Sequence, residues 1–473
     1  MNKSQGSLVS ISQEEKDLTP ADIVGVSKIT DLPNTEPGLY QEDEYFTPAA
    51  TSAPIVSSLK AQLRKDLWDK DPSGLAFFLH RAKGKSNNII EHHITNPGDI
   101  SLLPWNEALQ IIDKFGTNTA KLHLIFAAHT MRQEQPWVSE FNIKISDLIE
   151  EIGWNNNDYP KYEKIKTLAK HAFALDCITV QATWVEGRHR KGGLMASVEV
   201  SRMWNVRVHL IGQQNLQGKV ERPEEGIITI RPGLWTDSFL NKAGCEARKA
   251  LYQFGYLAQD ILKIDPYQDD LALRLGLHLT VESRFHTSGT YKVQTLLEAL
   301  LPKTEIDEAL ESRDKAYKLT KRWNHALKVL SELERAFQVE FDQATYPEPL
   351  RPHSKSRKPR GYFQQLLAAK ITIHPPAPIP ELLAGSTQPK LVKPQSVSSP
   401  KNVNNLSQSA TKTTSTTVVT GTQIKEARKA KDWSQGQLAG FLGVSQNLVS
   451  LIERDKRSVN KKLRSKISKL LEI

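Results

Sequence analysis

The stretch WSQGQLAGFLGVSQNLVSLIERDKR, residues 433–457, constrains the fold of this chain more than any other part of the sequence. Ser434 and Gln437 have the spacing of a capping box, so a helix is predicted to begin at Gln435. The letters GVS then supply a turn and a second N-cap, Ser445, for the helix that follows. The pattern therefore predicts two short helices joined by a tight turn.

The apolar residues of this stretch recur at the three-to-four spacing of helices that share a core. They are Leu438, Ala439, Leu442, Val444, Val449 and Ile452. With the serine caps they give the pattern S-Q-x-x-L-A-x-x-L-G-V-S, which resembles the Cro/repressor helix-turn-helix family, also called the XRE family. The resemblance covers about residues 421–473 and implies an all-α, five-helix, repressor-like domain that binds double-stranded DNA.

The resemblance also implies which side chains of this segment contact DNA. They are Gln435, Ser445, Gln446, Asn447, Ser450, Lys456 and Arg457. The helix after Ser445 would lie in the major groove, where glutamine and asparagine amides pair bidentately with adenine. Gln435 and the two cations would contact the phosphate backbone. A further family pair, matched here by Arg428 and Glu453, would tie the first helix to the recognition helix.

Charge favours a polyanion as the partner of this segment. The chain of 473 residues has a formal net charge of +10. Residues 421–473 hold 12 lysines and arginines against 5 acids, so most of the surplus lies there. Cations that neutralise phosphates release counterions, which favours DNA binding at low salt.

Other features of the composition indicate the compartment. The sequence has no run of 18 apolar residues, so no membrane span is expected. The N-terminal residues lack the apolar segment of a signal peptide. The two cysteines, Cys177 and Cys245, are too few for a disulfide scaffold. We expect a cytoplasmic protein that is associated with the nucleoid or with a plasmid.

Polar, aperiodic segments divide the chain into domains. Residues 1–60 are predicted to form a disordered arm, and residues 376–420, rich in Pro, Ser and Thr, a disordered linker. Between them we predict two tandem winged-helix-like domains, 61–235 and 236–375, and after them the helix-turn-helix domain, 421–473. The predicted fold class is mainly α with β-wings, an α+β class.

Both middle segments have the element order of a winged helix-turn-helix. In the first, the helix TAKLHLIFAAHTMRQ, the strand FNIKI and the helices SDLIEEIGW and YEKIKTLAKHAFAL precede a hairpin of DCITVQATWVEG and MASVEVSRMWNVRVHLIG. In the second, DDLALRLGLHLTVESRFH, TYKVQTLLEALLP and RDKAYKLTKRWNHALKVLSELER are helical, and AFQVEFD is a strand. An unrelated pair of α+β domains is the alternative.

Cations cluster in both middle segments at positions suited to phosphate contact. In the first segment they are Arg188, Arg190 and Lys191 at the tip of the predicted hairpin, with Lys166 and Lys170 on the helix before it. In the second they are Lys315, Lys318, Lys321 and Arg322 along one helical stripe, with Lys355, Arg357, Lys358 and Arg360 in the loop RPHSKSRKPR, a β-wing or a disordered arm. The alternative is that these are ordinary solvated side chains.

The sequence lacks the motifs of catalysis and of metal binding. No G-x-x-x-x-G-K-[ST] motif occurs, so no P-loop ATPase is predicted. The side chains of the neighbours His92 and His93 diverge, and His123 and His129 do not share a helical face, so neither pair is predicted to hold a metal. We expect no enzymatic activity, no cofactor and no resident metal.

The middle of the chain, roughly residues 105–375, resembles plasmid replication initiators with tandem winged helices, through its element order, its long basic helix and its basic loop. The resemblance implies a protein that binds repeated origin sites in double-stranded DNA and recruits host replication proteins. The C-terminal repressor-type domain departs from the usual initiator layout and would bind a second site or repress the protein's own promoter. A homodimer is a further expectation. The alternative is a transcriptional regulator whose middle region senses a ligand or a partner. The missing motifs disfavour a DNA-processing enzyme.

Overall fold

A computed structural model of the chain describes residues 33–40, 44–81, 87–156, 158–188, 194–241, 253–384, 421–431, 433, 435–442, 446–453, 467 and 470. The chain divides into two compact units, Met1–Gln395 and Ser396–Ile473. Within the residues described, no helix has both the length and the apolar character needed to cross a bilayer.

The first unit mixes helices and strands along its whole length. Its first half contains β1 (Phe46–Ala50), α1 (Ala53–Leu63), β2 (Asp69–Lys70), β3 (Ala76–Arg81), β4 (Ile89–Ile94), α2 (Trp105–Ile112), α3 (Thr117–Arg132), β5 (Phe141–Lys144), α4 (Ile145–Glu151), α5 (Lys161–Asp176), β6 (Ile178–Arg188), β7 (Leu194–Arg202), β8 (Trp204–Gln214), β9 (Val220–Pro232) and α6 (Trp235–Phe239). Its second half contains β10 (Phe254–Ala258), α7 (Gln259–Lys263), α8 (Asp270–Glu282), β11 (Thr290–Lys292), α9 (Val293–Leu300), α10 (Lys303–Glu311), α11 (Arg313–Glu332), β12 (Gln338–Phe341), α12 (Tyr362–Ala368), β13 (Lys370–His374) and α13 (Ile379–Ala384).

The two segments predicted to be disordered are partly folded. β1 is wholly buried and pairs antiparallel with β10, from the predicted second domain, and α1 packs against α3. The predicted disorder is therefore wrong for residues 46–60, because pairing with a distant strand buries a segment that has no periodicity of its own. It is also wrong at the start of the linker, where α13 buries Ile379. Residues 1–32 and 385–420 lie outside the described part of the chain.

Two three-stranded sheets in this unit have the same strand order. In the first half the order is β5-β9-β8, and in the second half it is β11-β13-β12. In each sheet, the strand that comes first in the sequence pairs with the one that comes last, and all pairings are antiparallel. Each sheet is preceded by a long helix, α3 or α8, and its first and second strands are separated by further helices, which end with α5 or α11. The element order predicted for the first half is therefore present. In the second half the prediction missed β11, because Thr290–Lys292 open the stretch TYKVQTLLEALLP, which was predicted to be helical throughout.

The hairpin predicted for the first half is present but does not belong to the three-stranded sheet, and its predicted second strand is divided into β7 and β8. β6 and β7 do form a hairpin, but it extends a separate five-stranded sheet of order β2-β3-β4-β6-β7. The hairpin of the three-stranded sheet is β8–β9 instead. Only Met203 separates β7 from β8. The alternation of apolar and polar residues therefore continues from one strand to the next although the chain passes from one sheet to another. Asp176 fixes this corner, since its carboxylate accepts hydrogen bonds from Val206 N at 2.8 Å and from the Arg202 guanidinium at 3.0 Å.

Buried histidines and tryptophans connect these elements. Trp204 is fully buried, and its indole N–H donates to Nδ1 of His123 at 2.9 Å. The other ring nitrogen of His123 lies 3.0 Å from the carbonyl oxygen of Ile55. His92 lies with Nε2 2.8 Å from the hydroxyl of Ser57 and with Nδ1 2.9 Å from a backbone carbonyl. Both rings therefore join α1 to the elements around it.

Stability is expected to fall as the pH drops from about 6.5 to about 4. Burial lowers the pKa of His92 to about 3, that of His123 to about 4 and that of His129 to about 3. Because the unfolded chain binds more protons than the folded chain in this window, each histidine removes on the order of 3 kcal/mol of stability by about pH 4. Burial raises the pKa of Glu151 to about 7, so its proton uptake in the folded state offsets part of the loss.

His129→Phe isolates one of these contributions. The His129 ring is stacked on Phe141, with ring centroids 5.6 Å apart, so phenylalanine retains the packing. We expect the fall in unfolding free energy between about pH 7 and pH 5 to be about 2 kcal/mol smaller in this variant than in the parent chain, measured by urea denaturation. A variant with the pH dependence of the parent chain would contradict this assignment.

The second unit contains the predicted helix-turn-helix residues. Its described helices are α14 (Gly421–Ala430), α15 (Gln435–Leu442) and α16 (Gln446–Glu453). Its buried apolar residues are Ile424, Leu438, Ala439, Leu442, Val449, Ile452 and Ile467. Helices begin at Gln435 and just after the predicted second cap, and the predicted apolar residues that are described are buried. Val444 and most of the chain after Glu453 lie outside the described residues.

Candidate nucleic-acid interface

A buried ion pair joins the first and third described helices of the second unit. The Arg428 guanidinium donates from Nε to Glu453 Oε1 at 2.6 Å and from a terminal nitrogen to Oε2 at 3.1 Å. The hydrogen bond with Glu453 raises the pKa of Arg428. Burial alone raises the pKa of the Glu453 carboxyl, but hydrogen bonds from Arg428 and Gln435 outweigh it and hold that pKa below its usual value. This contact agrees with the structural pair expected from the resemblance.

Gln435 has a structural contact at the start of α15. Its amide nitrogen donates to Glu453 Oε2 at 2.8 Å, so this side chain helps to place α16. Its predicted phosphate contact stays a prediction. Gln446 and Asn447 are the first two residues of α16, and Ser450, one turn later, is half-buried. Three further predicted DNA contacts lie outside the described residues: Ser445, Lys456 and Arg457.

The predicted cations of the first half lie in two different places. Lys170 is exposed on α5, and one turn earlier Lys166 is half-buried, 3.4 Å from the Glu163 carboxylate and 5.6 Å from the centre of the Tyr162 ring. Arg188 ends β6, in the five-stranded sheet, and is therefore not on the β8–β9 hairpin. Arg190 and Lys191 lie outside the described residues.

The β8–β9 hairpin supplies residues that the sequence prediction missed. Leu216 at its tip is fully exposed, Lys219 follows it, and Arg207 and Arg231 are exposed near its base. An exposed apolar side chain close to one cation, Lys219, at a hairpin tip suits insertion between base steps in a minor groove. Arg207 at the base already pairs with the Glu140 carboxylate. The residues NLQGK, 215–219, are typical of a turn and could have predicted this hairpin from the sequence.

The basic stripe of α11 is exposed, as predicted, but three of its four cations pair with carboxylates. Lys315 lies 2.9 Å from the Glu308 carboxylate, and the Arg322 guanidinium donates to Glu305; both acids are on α10. Lys318 pairs with Asp314 of its own helix at 2.7 Å. Lys321 is exposed. On the opposite face of the helix, Leu319, Trp323, Ala326, Leu327 and Leu330 are buried, as the spacing predicted.

Removing the α10 carboxylates is expected to strengthen DNA binding. Exposed ion pairs contribute only about 0–1 kcal/mol, so phosphates compete well with them. The double substitution Glu305→Gln and Glu308→Gln frees two cations and should raise the affinity for a random-sequence duplex about three- to ten-fold at low salt.

The matched control for this prediction is Asp69→Asn with Glu134→Gln, which changes the net charge equally at exposed acids outside α10 and α11. Affinities are measured by fluorescence anisotropy across a salt series. Equal gains in both double variants would show that only overall charge matters and would contradict the role of α10.

The basic loop between β12 and α12 is ordered. Lys355, Arg357 and Arg360 are exposed. Ser356 Oγ donates to Glu348 Oε2 at 3.0 Å, and its backbone N–H donates to the Ser354 hydroxyl at 3.1 Å. The disordered-arm alternative is therefore wrong, because hydrogen bonds within the loop fix its path. The loop connects the second and third strands of its sheet, which is the position of a wing.

Comparison with known proteins gives one match in sequence. Residues 424–473 match the family described as "Helix-turn-helix". The second unit therefore carries a helix-turn-helix segment, and the match does not extend to the rest of the chain. No curated protein matches this chain.

Among solved structures, this chain is similar to two crystal structures of RctB domains 2 and 3. For the selenomethionine derivative the TM-score is 0.35 and the identity 12%, covering 67% of this chain and 99% of that one. For the other, RctB-155-483, the TM-score is 0.33 and the identity 12%, covering 68% and 99%. At these TM-scores neither structure bears on function.

Proposed function

We propose that this chain is a sequence-specific double-stranded DNA-binding protein that initiates plasmid replication at repeated origin sites and represses its own promoter. The observation that carries the proposal is the repeated sheet order, β5-β9-β8 and β11-β13-β12, in one chain with a helix-turn-helix segment. Each repeat would be a winged helix, with α5 or α11 as its recognition helix. A chain with several DNA-reading modules in series suits iterated binding sites, because linked modules raise each other's effective concentration.

The charges of the described residues support this proposal. Phosphates would meet Lys166 and Lys170 on α5 and the stripe of α11. They would also meet the exposed cations of the ordered basic loop. Base reading would fall mainly to α16, through Gln446, Asn447 and Ser450. The proposal includes no catalytic step, no cofactor and no resident metal.

The proposed partners follow from this role. They are double-stranded DNA, host replication proteins and a second copy of this chain. The protein would act in the cytoplasm, bound to a plasmid or to the nucleoid.

A transcriptional regulator with a sensing middle region is the second candidate. A cavity of about 360 Å³ lies among α1, α8 and α9, and its lining includes His80, His278 and Tyr291 among apolar side chains. This volume falls in the range of small-molecule sites, about 300–1,000 Å³. In this candidate the helix-turn-helix segment alone would bind DNA, and occupancy of the cavity would change its affinity.

A footprint on the DNA around the gene separates the two candidates. Three proteins are compared: the full chain, residues 33–395 and residues 396–473. The first fragment must start before β1, because a fragment that began at residue 60 would lose the strand that pairs with β10. Protection of repeated sites by residues 33–395 alone supports the initiator. Protection of a promoter only by proteins that contain residues 396–473 overturns it in favour of the regulator.

A further inference from the structure

The basic loop 351–360 is fixed at its first end by buried contacts. Leu350 is fully buried, and Arg351 donates from Nε to the carbonyl oxygen of Tyr346 at 3.2 Å. The Arg351 guanidinium also lies over the ring of Phe341, 5.7 Å from its centre. These contacts place the start of the loop against the second three-stranded sheet.

The second end of the loop is held by Lys358 against α11. The Lys358 ammonium lies 5.5 Å from the centre of the Tyr317 ring on α11 and 5.1 Å from the centre of the Tyr362 ring, which opens α12. Both distances are within the range of cation–π attraction. Burial lowers the pKa of Lys358. Lys358 is therefore half-buried beside α11, whereas Lys355, Arg357 and Arg360 are exposed.

We propose that Lys358 is a positioning residue, which holds the basic loop beside α11 so that Lys355, Arg357 and Arg360 meet DNA phosphates together. This inference rests on the proposed function, since it assumes that the loop contacts DNA. A loop that is ordered before binding loses less conformational entropy when DNA arrives. Lys358 would thus contribute to DNA binding by placing the other three cations, while its own ammonium contacts the Tyr317 and Tyr362 rings.

The test compares three variants of the full chain. Lys358→Met removes the ammonium and keeps the length of the side chain, and Lys358→Arg keeps a cation over the rings. Lys355→Met is the matched control, because it removes one exposed cation from the same loop. Loop order is measured without DNA, by the rate of trypsin cleavage after Arg357 and Arg360. DNA binding is measured as the slope of log affinity against log salt with a random-sequence duplex.

Lys358→Met is expected to speed cleavage about ten-fold, because two cation–π contacts no longer oppose opening of the loop. The magnitude of its salt slope should decrease by about 2 or more, since Lys355, Arg357 and Arg360 are then no longer held where they contact phosphates together. Lys355→Met should lower the slope by about 1 and leave cleavage after Arg360 unchanged. Lys358→Arg should behave as the parent chain does.

The two readouts separate failure of this inference from failure of the proposed function. Unchanged cleavage in Lys358→Met overturns the positioning role, and a slope lowered by only about 1 would make this lysine an ordinary phosphate contact. Faster cleavage with an unchanged slope overturns it too, provided that Lys355→Met lowers the slope. If none of the variants changes the slope, the loop does not contact DNA, and this part of the proposed function fails with it.

Discussion

Arg428→Met is expected to destabilise the second unit by about 3–5 kcal/mol, a loss that would unfold a unit of this size. The substitution leaves the Glu453 carboxylate buried, 5% exposed, without the bidentate donor that compensates its charge. The Gln435 amide remains as a hydrogen-bond donor but carries no positive charge. A buried, unpaired charge is among the most destabilising features that a single substitution creates.

Hydrogen exchange of the α14, α15 and α16 amides in the full chain measures this loss. Glu426→Gln, at an exposed position of α14, is the control and should exchange as the parent chain does. The double variant Arg428→Met with Glu453→Leu should recover most of the protection, because it removes both charges. If the single and double variants are equally protected, the pair does not hold the unit together.

Trp323→Ala is expected to cost about 3–5 kcal/mol in the second half of the first unit. Trp323 is fully buried on α11, and its indole N–H donates to the hydroxyl of Tyr346 at 3.2 Å. Alanine leaves a cavity behind the basic stripe of α11. It also frees Tyr346, whose carbonyl oxygen accepts the hydrogen bond from Arg351 at the start of the basic loop. We therefore expect weaker DNA binding together with lower stability.

Trp323→Phe distinguishes the energetic cost of the cavity from that of the lost hydrogen bond to Tyr346. Phenylalanine fills most of the space but leaves the buried Tyr346 hydroxyl without its donor, at a cost of about 1–3 kcal/mol. Urea denaturation followed by circular dichroism gives the unfolding free energies, with Trp137→Ala, at a half-buried position, as the control. Equal losses for Trp323→Ala and Trp137→Ala would show that α11 is not anchored through Trp323.

Sequence patterns predicted the local structure well where one helix has two distinct faces. The buried stripe of α11 and the start of α15 follow from residue spacing and capping, which depend on neighbours within a few positions. The Arg428–Glu453 pair was implied by the resemblance, and the structure has it as a bidentate contact. The order of elements in the first half was likewise predicted from periodicity, whereas β11 of the second half was predicted to be helical.

The candidate DNA-contacting residues were predicted less completely, because the spacing of cations on a helix does not show which acidic side chains of neighbouring helices pair with them. Lys315 and Arg322 were correctly placed on the exposed face of α11, yet α10 supplies carboxylates to both. Lys358 was grouped with its exposed neighbours, although it lies between two tyrosine rings. The acids Glu305 and Glu308, on the preceding helix α10, were the feature of the sequence that could have predicted this pairing.

The sequence by itself determined the helices with one clear buried face, such as α5 and α11, and the helix-turn-helix segment, since these follow from spacing, caps and turns within short stretches. Only the tertiary structure decided that β1 pairs with β10, that β8 and β9 form the hairpin of their sheet, and which cations are already paired. The physical reason is that a strand's pattern specifies which face is buried but not which distant strand supplies its hydrogen bonds. An exposed charge likewise takes its partner from whichever surface folds against it.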